Sequence, residues 1–193
     1  MKNLQIIIIA FLTFCQSCQH NLEETVSVEV ELNSPCAKEL DEYSHYTLII
    51  ENDTINYHTY QNSTIDTIKS ILIYIQGSGA SPLYKAKREG DSRWIGGSVP
   101  FDLKQFPDEY MFVIISKKGI PFCTQLDEEY IAPKSYFQNE TLEYRSNQTD
   151  LVIEDLIRKN RNQTFSNIVL LGHSEGSDVI AKLGTMNHSV THF

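Results

Sequence analysis

Ile168-Val-Leu-Leu-Gly-His-Ser-Glu-Gly-Ser177 is an apolar run that breaks into a serine bracketed by glycines. Four successive apolar residues, Ile168 to Leu171, leave no polar side for water, so the run reads as a strand buried on both faces. Behind it, Val179, Ile180 and Leu183 fall on one stripe of a helix spanning 175–184, with Gly184 at its end. A serine between such a strand and such a helix sits on a very tight turn. Side chains two residues before and two after it would collide with the neighbouring strand and helix, which accounts for Gly172 and Gly176. In that context Gly172-His173-Ser174-Glu175-Gly176 satisfies Gly-x-Ser-x-Gly, and Ser174 is the candidate nucleophile. His173, the variable position, is expected to pack under the turn.

Two more apolar runs lie upstream and are closed in the same way. Ile71–Ile75 ends in Gln76-Gly-Ser-Gly-Ala-Ser-Pro82, and Tyr110–Ile115 ends in Ser116-Lys-Lys-Gly-Ile-Pro121. Between the second run and the serine motif, apolar residues at 152, 153, 156 and 157 follow helical spacing, so a helix is expected over 146–161, beginning at Ser146 or Asn147. Tyr46–Ile50 and Ile55–Tyr60 flank the turn residues Asn52 and Asp53 and read as a hairpin. Val190–Phe193 reads as the opening of another strand. Strand, helix, strand, helix, strand implies an α/β protein with a mostly parallel sheet and helices on both faces. The long connection from Pro82 to Asp108 holds Asp91, Arg93 and Trp94; the tryptophan is either a pocket wall or a core plug.

On these residues the chain resembles the α/β hydrolase superfamily, in particular its serine esterases and prolyl-oligopeptidase-like peptidases. The resemblance covers residues 44–193 and only the N-terminal portion of the family's fold: a mostly parallel central sheet flanked by helices, truncated after the nucleophile helix. It implies that the backbone N–H of Glu175 forms half of an oxyanion hole, and that Ser78, with Gly79 as the close alternative, supplies the other half. Many members open this loop with His-Gly, where this chain has Gln76-Gly77. The family's acid and histidine follow the nucleophile, yet only 19 residues follow Ser174. Asp178 falls inside the helix, His188 at the far edge of the sheet from the nucleophile, and His192 in a strand only beginning. This chemistry calls for no cofactor and no metal. Lys117 and Lys118, on the same sheet edge as Ser174, either attract an anionic substrate group or form a solvated loop.

The N-terminus is a different material. Lys2, the apolar stretch Ile6–Phe14 and then Cys15-Gln-Ser-Cys18 make an export signal over residues 1–17, too short to span a bilayer. Cys18 directly after Ser17 resembles the cleavage site of bacterial lipoproteins, whose cysteine is lipidated, so Cys18 is the candidate lipidation site and plain secretion the alternative. Residues 18–43 are a polar tether in which Val26–Val30 alternates like an edge strand. The net charge of −9 becomes −10 once Lys2 is removed, which argues against a nucleic-acid partner. In an oxidising compartment Cys36 and Cys123 either pair or remain buried thiols. Six Asn-x-Ser/Thr triplets, at Asn52, Asn62, Asn139, Asn147, Asn162 and Asn187, are glycan acceptors in a eukaryotic host, or simply a polar surface in a bacterial lipoprotein. The reading is an exported, envelope-localised serine hydrolase acting on a small-molecule ester or a peptide, held to the membrane by a lipid. Its rival is a non-catalytic surface module that keeps the half-fold.

Overall fold

The computed structural model describes residues 25–51, 53–62, 68–90, 92–100, 102–162 and 164–193. In chain order it contains β1 (Val26–Glu29), a short α1 (Pro35–Lys38), β2 (Tyr43–Ile50), β3 (Asp53–Tyr60), β4 (Ser70–Ile75), β5 (Tyr84–Glu89), β6 (Ser92–Gly97), β7 (Tyr110–Ile115), β8 (Cys123–Gln125), α2 (Lys134–Asn139), α3 (Leu142–Lys159), β9 (Asn167–Gly172) and α4 (Gly176–Met186). Six strands make the central sheet in the order β1-β2-β3-β7-β4-β9. The ladders from β1 to β7 are antiparallel, whereas β7, β4 and β9 run parallel. Those three strands therefore end at one edge, where Ile75 stands beside Gly172.

The apolar runs explain the layering. Alternate side chains of a strand face opposite ways, so Ile71, Ile73 and Ile75 of β4 join Met111, Val113 and Ile115 of β7 in one core, while Tyr74, Phe112 and Ile114 enter a second. The first core is closed by α3, through Val152, Ile153 and Leu156, and by α4, through Val179 and Leu183. Val179 and Leu183 are fully buried, each adding about 1.5–3 kcal/mol of apolar burial. The second core, on the face where the sequence pattern also predicts helices, is closed by α1 and a three-stranded sheet, β6-β5-β8. Two of its strands, β5 and β6, lie in the long connection from Pro82 to Asp108, for which the sequence pattern predicts no element, and β8 lies beyond it. In β5 the burial alternates through Tyr84 and Ala86, a signal only two residues deep.

Other boundaries move for local reasons. Helix α3 begins at Leu142, ahead of Ser146, because the Thr141 hydroxyl accepts from the N–H of Tyr144 at 3.2 Å and caps it there. Ile157 lies on its outer side, 37% exposed. Helix α4 runs through Gly184 to Met186, and the backbone N–H of Asn187 closes on the carbonyl of Leu183. Cys36 and Cys123 are paired, tying α1 to β8 across 87 residues of sequence. Val26–Glu29 lies along the sheet edge as β1, and His192 makes a parallel bridge to Val169 on the outer side of β9. The export signal and Cys18 lie outside the described residues. Among those residues no helix is long and apolar enough to cross a membrane.

Candidate active site

Ser174 stands immediately after β9 and before α4 with φ +53°, a left-handed conformation that a serine adopts only where its surroundings impose it. Those surroundings are backbone. A Cβ on Gly176 would lie 2.2 Å from the carbonyl oxygen of Ile75, and one on Gly172 would lie 2.6 Å from the backbone of Gly176. Helix α4 thus approaches β4 at Gly176 and the end of β9 at Gly172 so closely that only glycine fits at either position, and the serine between them is forced outward. The N–H of His173 donates to the carbonyl of Ile75 at 3.0 Å and locks the turn to the neighbouring strand. The side chain of Ser174 is exposed, and α4 starts directly behind it.

The loop after β4 lies against this turn. Gly77 is buried, and a Cβ there would come within 2.8 Å of the Ser174 Cβ. Ser78 and Gly79 follow on the exposed side, Gly79 with φ +117°. No backbone carbonyl among the described residues takes the N–H of Glu175 or of Ser78. The structure therefore brings Ser174, Glu175 and the 77–79 loop together.

Beneath this surface lies a charged cluster that the sequence did not announce. Arg145 from α3 is 5% exposed and Lys117, just past β7, is 4% exposed. Arg145 donates through Nη2 to the carbonyl of Gln76, and its Nη1 lies 3.5 Å from Glu140 and 3.7 Å from Glu175. Lys117 donates to the Gly79 carbonyl at 3.1 Å and pairs with Glu140. Burial lowers the Lys117 pKa from its ordinary value, and nearby Arg145 adds to this against the opposing hydrogen bond to Glu140. The Gln76 side chain donates to the Ile115 carbonyl at 3.3 Å, so in the place of the family's histidine it ties the loop to β7. Hydrophobic periodicity cannot reveal Arg145. Yet Arg145, Thr149, Val152 and Leu156 share one helical stripe, and a polar extension of an apolar stripe was the available signal.

Several expectations change. His173 is exposed above the turn, near Gly77, because the space beneath is filled by Gly77 and the Ile75 carbonyl. Lys117 is neither solvated nor free to meet substrate, and Lys118 pairs with Asp53. Trp94 is 59% exposed on β6 and does not plug the core; Asp91 and the Arg93 side chain lie outside the described residues. His188 is exposed in the turn after α4. His192 sits beside Val169, three residues or about 10 Å down the strand from Gly172. Asp178 lies exposed in the first turn of α4. A cavity of about 680 Å³ is lined by Tyr43, Tyr60, Tyr84, Gly97, Asp102 and others and does not include Ser174. A separate buried chain links His45 Nδ1 to His58 Nδ1 at 2.8 Å and His58 Nε2 to the Ser116 hydroxyl at 2.9 Å. Among the described residues no group of three or more His, Cys, Asp or Glu is placed to hold a metal ion.

No family model matches the sequence, and no curated protein matches it. Solved structures do resemble it. A candidate acetyl xylan esterase from Bacteroides fragilis superposes with a TM-score of 0.51 at 14% identity, over 86% of this chain and 46% of that one. The glucuronoyl esterase from Solibacter usitatus gives 0.50 at 8% identity, over 86% and 50%. The acylaminoacyl peptidase of Pyrococcus horikoshii gives 0.50 at 11% identity, over 77% and 22%. These are α/β-hydrolase proteins, and this chain has the α/β-hydrolase fold, spanning half of their length or less.

Proposed function

We propose that the chain carries the nucleophile and oxyanion hole of an exported serine hydrolase that cleaves an ester or amide through an acyl-enzyme on Ser174. The observation that carries this reading is the left-handed Ser174, held outward between two glycines that backbone contact makes irreplaceable. In the reaction, Ser174 Oγ attacks the carbonyl carbon and the developing oxyanion is met by the N–H groups of Glu175 and Ser78, with Gly79 adjacent. Two such donors supply several kcal/mol of transition-state stabilisation. The serine proton passes to hydroxide, the leaving group departs with the bonding electrons, and water then hydrolyses the acyl-serine, releasing the acid and restoring the hydroxyl. Esterases among the structures of the same fold favour a small-molecule ester as substrate. The net charge of −9 disfavours nucleic acid, and lipidation at Cys18 would place the chain at the cell envelope.

Among the described residues, no histidine or carboxylate is hydrogen-bonded to the Ser174 hydroxyl. That favours a second reading, a non-catalytic module with the same fold, unless the base comes from elsewhere. The test is treatment of the full chain with 4-nitrophenyl acetate at alkaline pH, read by mass spectrometry. One acyl group should accumulate on Ser174, with little turnover, and Ser174→Ala should lack it. Acylation spread evenly over surface serines such as Ser177 would sink the hydrolase reading.

A further inference from the structure

We propose that Arg145 is a positioning residue that sets the spacing between the two oxyanion donors, with Lys117 holding the far end of the same loop. The inference rests on the serine-hydrolase reading above. One donor, the N–H of Glu175, belongs to the turn after β9; the other, the N–H of Ser78, belongs to the loop after β4. The β4–β9 ladder ends at Ile75 and Gly172, and His173 makes a last hydrogen bond to Ile75. Beyond that point the strand pairing no longer ties the two segments together.

Arg145 reaches both. Its Nη2 holds the carbonyl of Gln76, two residues before Ser78, and its Nη1, which makes no hydrogen bond, forms an ion pair with the carboxylate of Glu175 at 3.7 Å. Lys117 holds the carbonyl of Gly79, one residue after Ser78, at 3.1 Å. The loop is thus held by a buried cation on each side of the Ser78 donor, at the peptide just before it and at the second peptide after it, and Glu140 joins the two cations by pairing with both. A guanidinium is a rigid planar fork and can hold two partners at a set separation, which an ammonium on a flexible stem cannot. Burial strengthens the contacts to the Gln76 and Gly79 carbonyls, because little water competes for the two cations. Neither cation reaches the exposed side of the loop, so both act through the backbone that carries the donors.

The test uses the acyl-serine itself. The full chain is treated with 4-nitrophenyl acetate carrying ¹³C at the carbonyl. The Ser174 Oγ–acyl bond forms as the ester bond to nitrophenolate breaks; nitrophenolate leaves with the electron pair, and the serine proton passes to hydroxide. The infrared stretch of the acyl carbonyl is then read as a difference against Ser174→Ala. In the wild type the donors polarise the carbonyl, so its stretch should lie below that of the same acyl-protein in denaturant. Arg145→Met should lose this shift and slow acylation on the order of 10²-fold, the cost of a misplacement near 1 Å. Arg145→Lys should recover the melting temperature better than the carbonyl shift. If Arg145→Met does not fold, Glu175→Gln serves instead, because it keeps the N–H and removes only the charge facing Arg145. A folded Arg145→Met, or a Glu175→Gln, with the wild-type carbonyl stretch overturns the inference and leaves the hydrolase reading standing. Failure of the wild type to acylate at Ser174 removes both.

Discussion

Alanine at two glycines of the same helix should have opposite effects. At position 176 the new Cβ would lie 2.2 Å from the Ile75 carbonyl oxygen, whereas a carbon–oxygen contact relaxes at about 3.3 Å, so β4 and α4 must part by roughly 1 Å. Overpacking of this kind costs about 1–3 kcal/mol. The same carbonyl accepts from His173, and weakening that hydrogen bond costs about 1 kcal/mol more. Alanine returns about 1 kcal/mol through helix propensity, leaving Gly176→Ala destabilised by about 1–3 kcal/mol. At position 184 the new Cβ meets only the ring of Phe193, at 3.2 Å, and that ring is 65% exposed and can swing away. Gly184→Ala should therefore keep most of its roughly 0.8–1 kcal/mol propensity gain. Urea unfolding at constant m reads both as midpoint shifts of opposite sign. A Gly176→Ala protein as stable as the wild type would refute the claim that backbone contact dictates glycine beside Ser174.

Burial holds the imidazoles of His45 and His58 below their ordinary value, and at His58 the neighbouring His45 adds to the effect. A lowered folded-state pKa favours folding above the unfolded value near 6.5, and that stability drains away as pH falls below it, by up to about 1.4 kcal/mol per pH unit for each ring. Melts between about pH 7.5 and pH 5.5 should show the decline, and His58→Gln should flatten it; an unchanged slope would exclude the pair as its source. At Asp155 burial pushes the pKa up, but hydrogen bonds from Tyr57 and Arg158 outweigh it and hold the carboxyl below its usual range. Its contribution should thus be present above the unfolded value near 4 and fade as pH falls further. Because Arg158 and Lys159 are each about a third exposed, Asp155→Asn should cost about 2 kcal/mol in a urea titration at neutral pH, less than the sealed-pair figure. Reducing Cys36–Cys123 reopens 87 residues of sequence separation and should lower the unfolding free energy by up to about 4 kcal/mol, seen as a urea midpoint shift with and without reductant.

β4 and β7 could be read from sequence because burial on both faces forces long apolar runs, each followed by glycine; β9 carries the same apolar run, although it buries only Ile168 and Leu170 and leaves Leu171 39% exposed. The elbow was legible for the same reason: Gly172 and Gly176 record close approaches that allow no other residue. The small sheet was not, since β5 buries only Tyr84 and Ala86 among charged neighbours and β8 is three residues long. The start of α3 was misplaced because its first turns bury Arg145, Ser146, Gln148 and Thr149, polar groups with no apolar period. Arg145, which supports the loop after β4, hid in that same stretch. It is made of ionic contacts between residues distant in sequence, and no local pattern records them.

The turn between β2 and β3 joins strands adjacent in sequence, whereas β4 and β9, paired from Ser70–Asn167 to Ile75–Gly172, are 97 residues apart. Closing a loop of that length costs about 3 kcal/mol more entropy than closing a hairpin, at roughly 0.6 kcal/mol per doubling. The hairpin can form within about 1–10 μs of refolding. Ser174 cannot be forced outward until β9 has found β4, so the reactive geometry is among the last parts of the molecule to assemble. During refolding, the capacity of Ser174 to be acylated should return after the signals of the β2–β3 pair, and a population arrested partway would hold much of its strand structure with an unreactive serine.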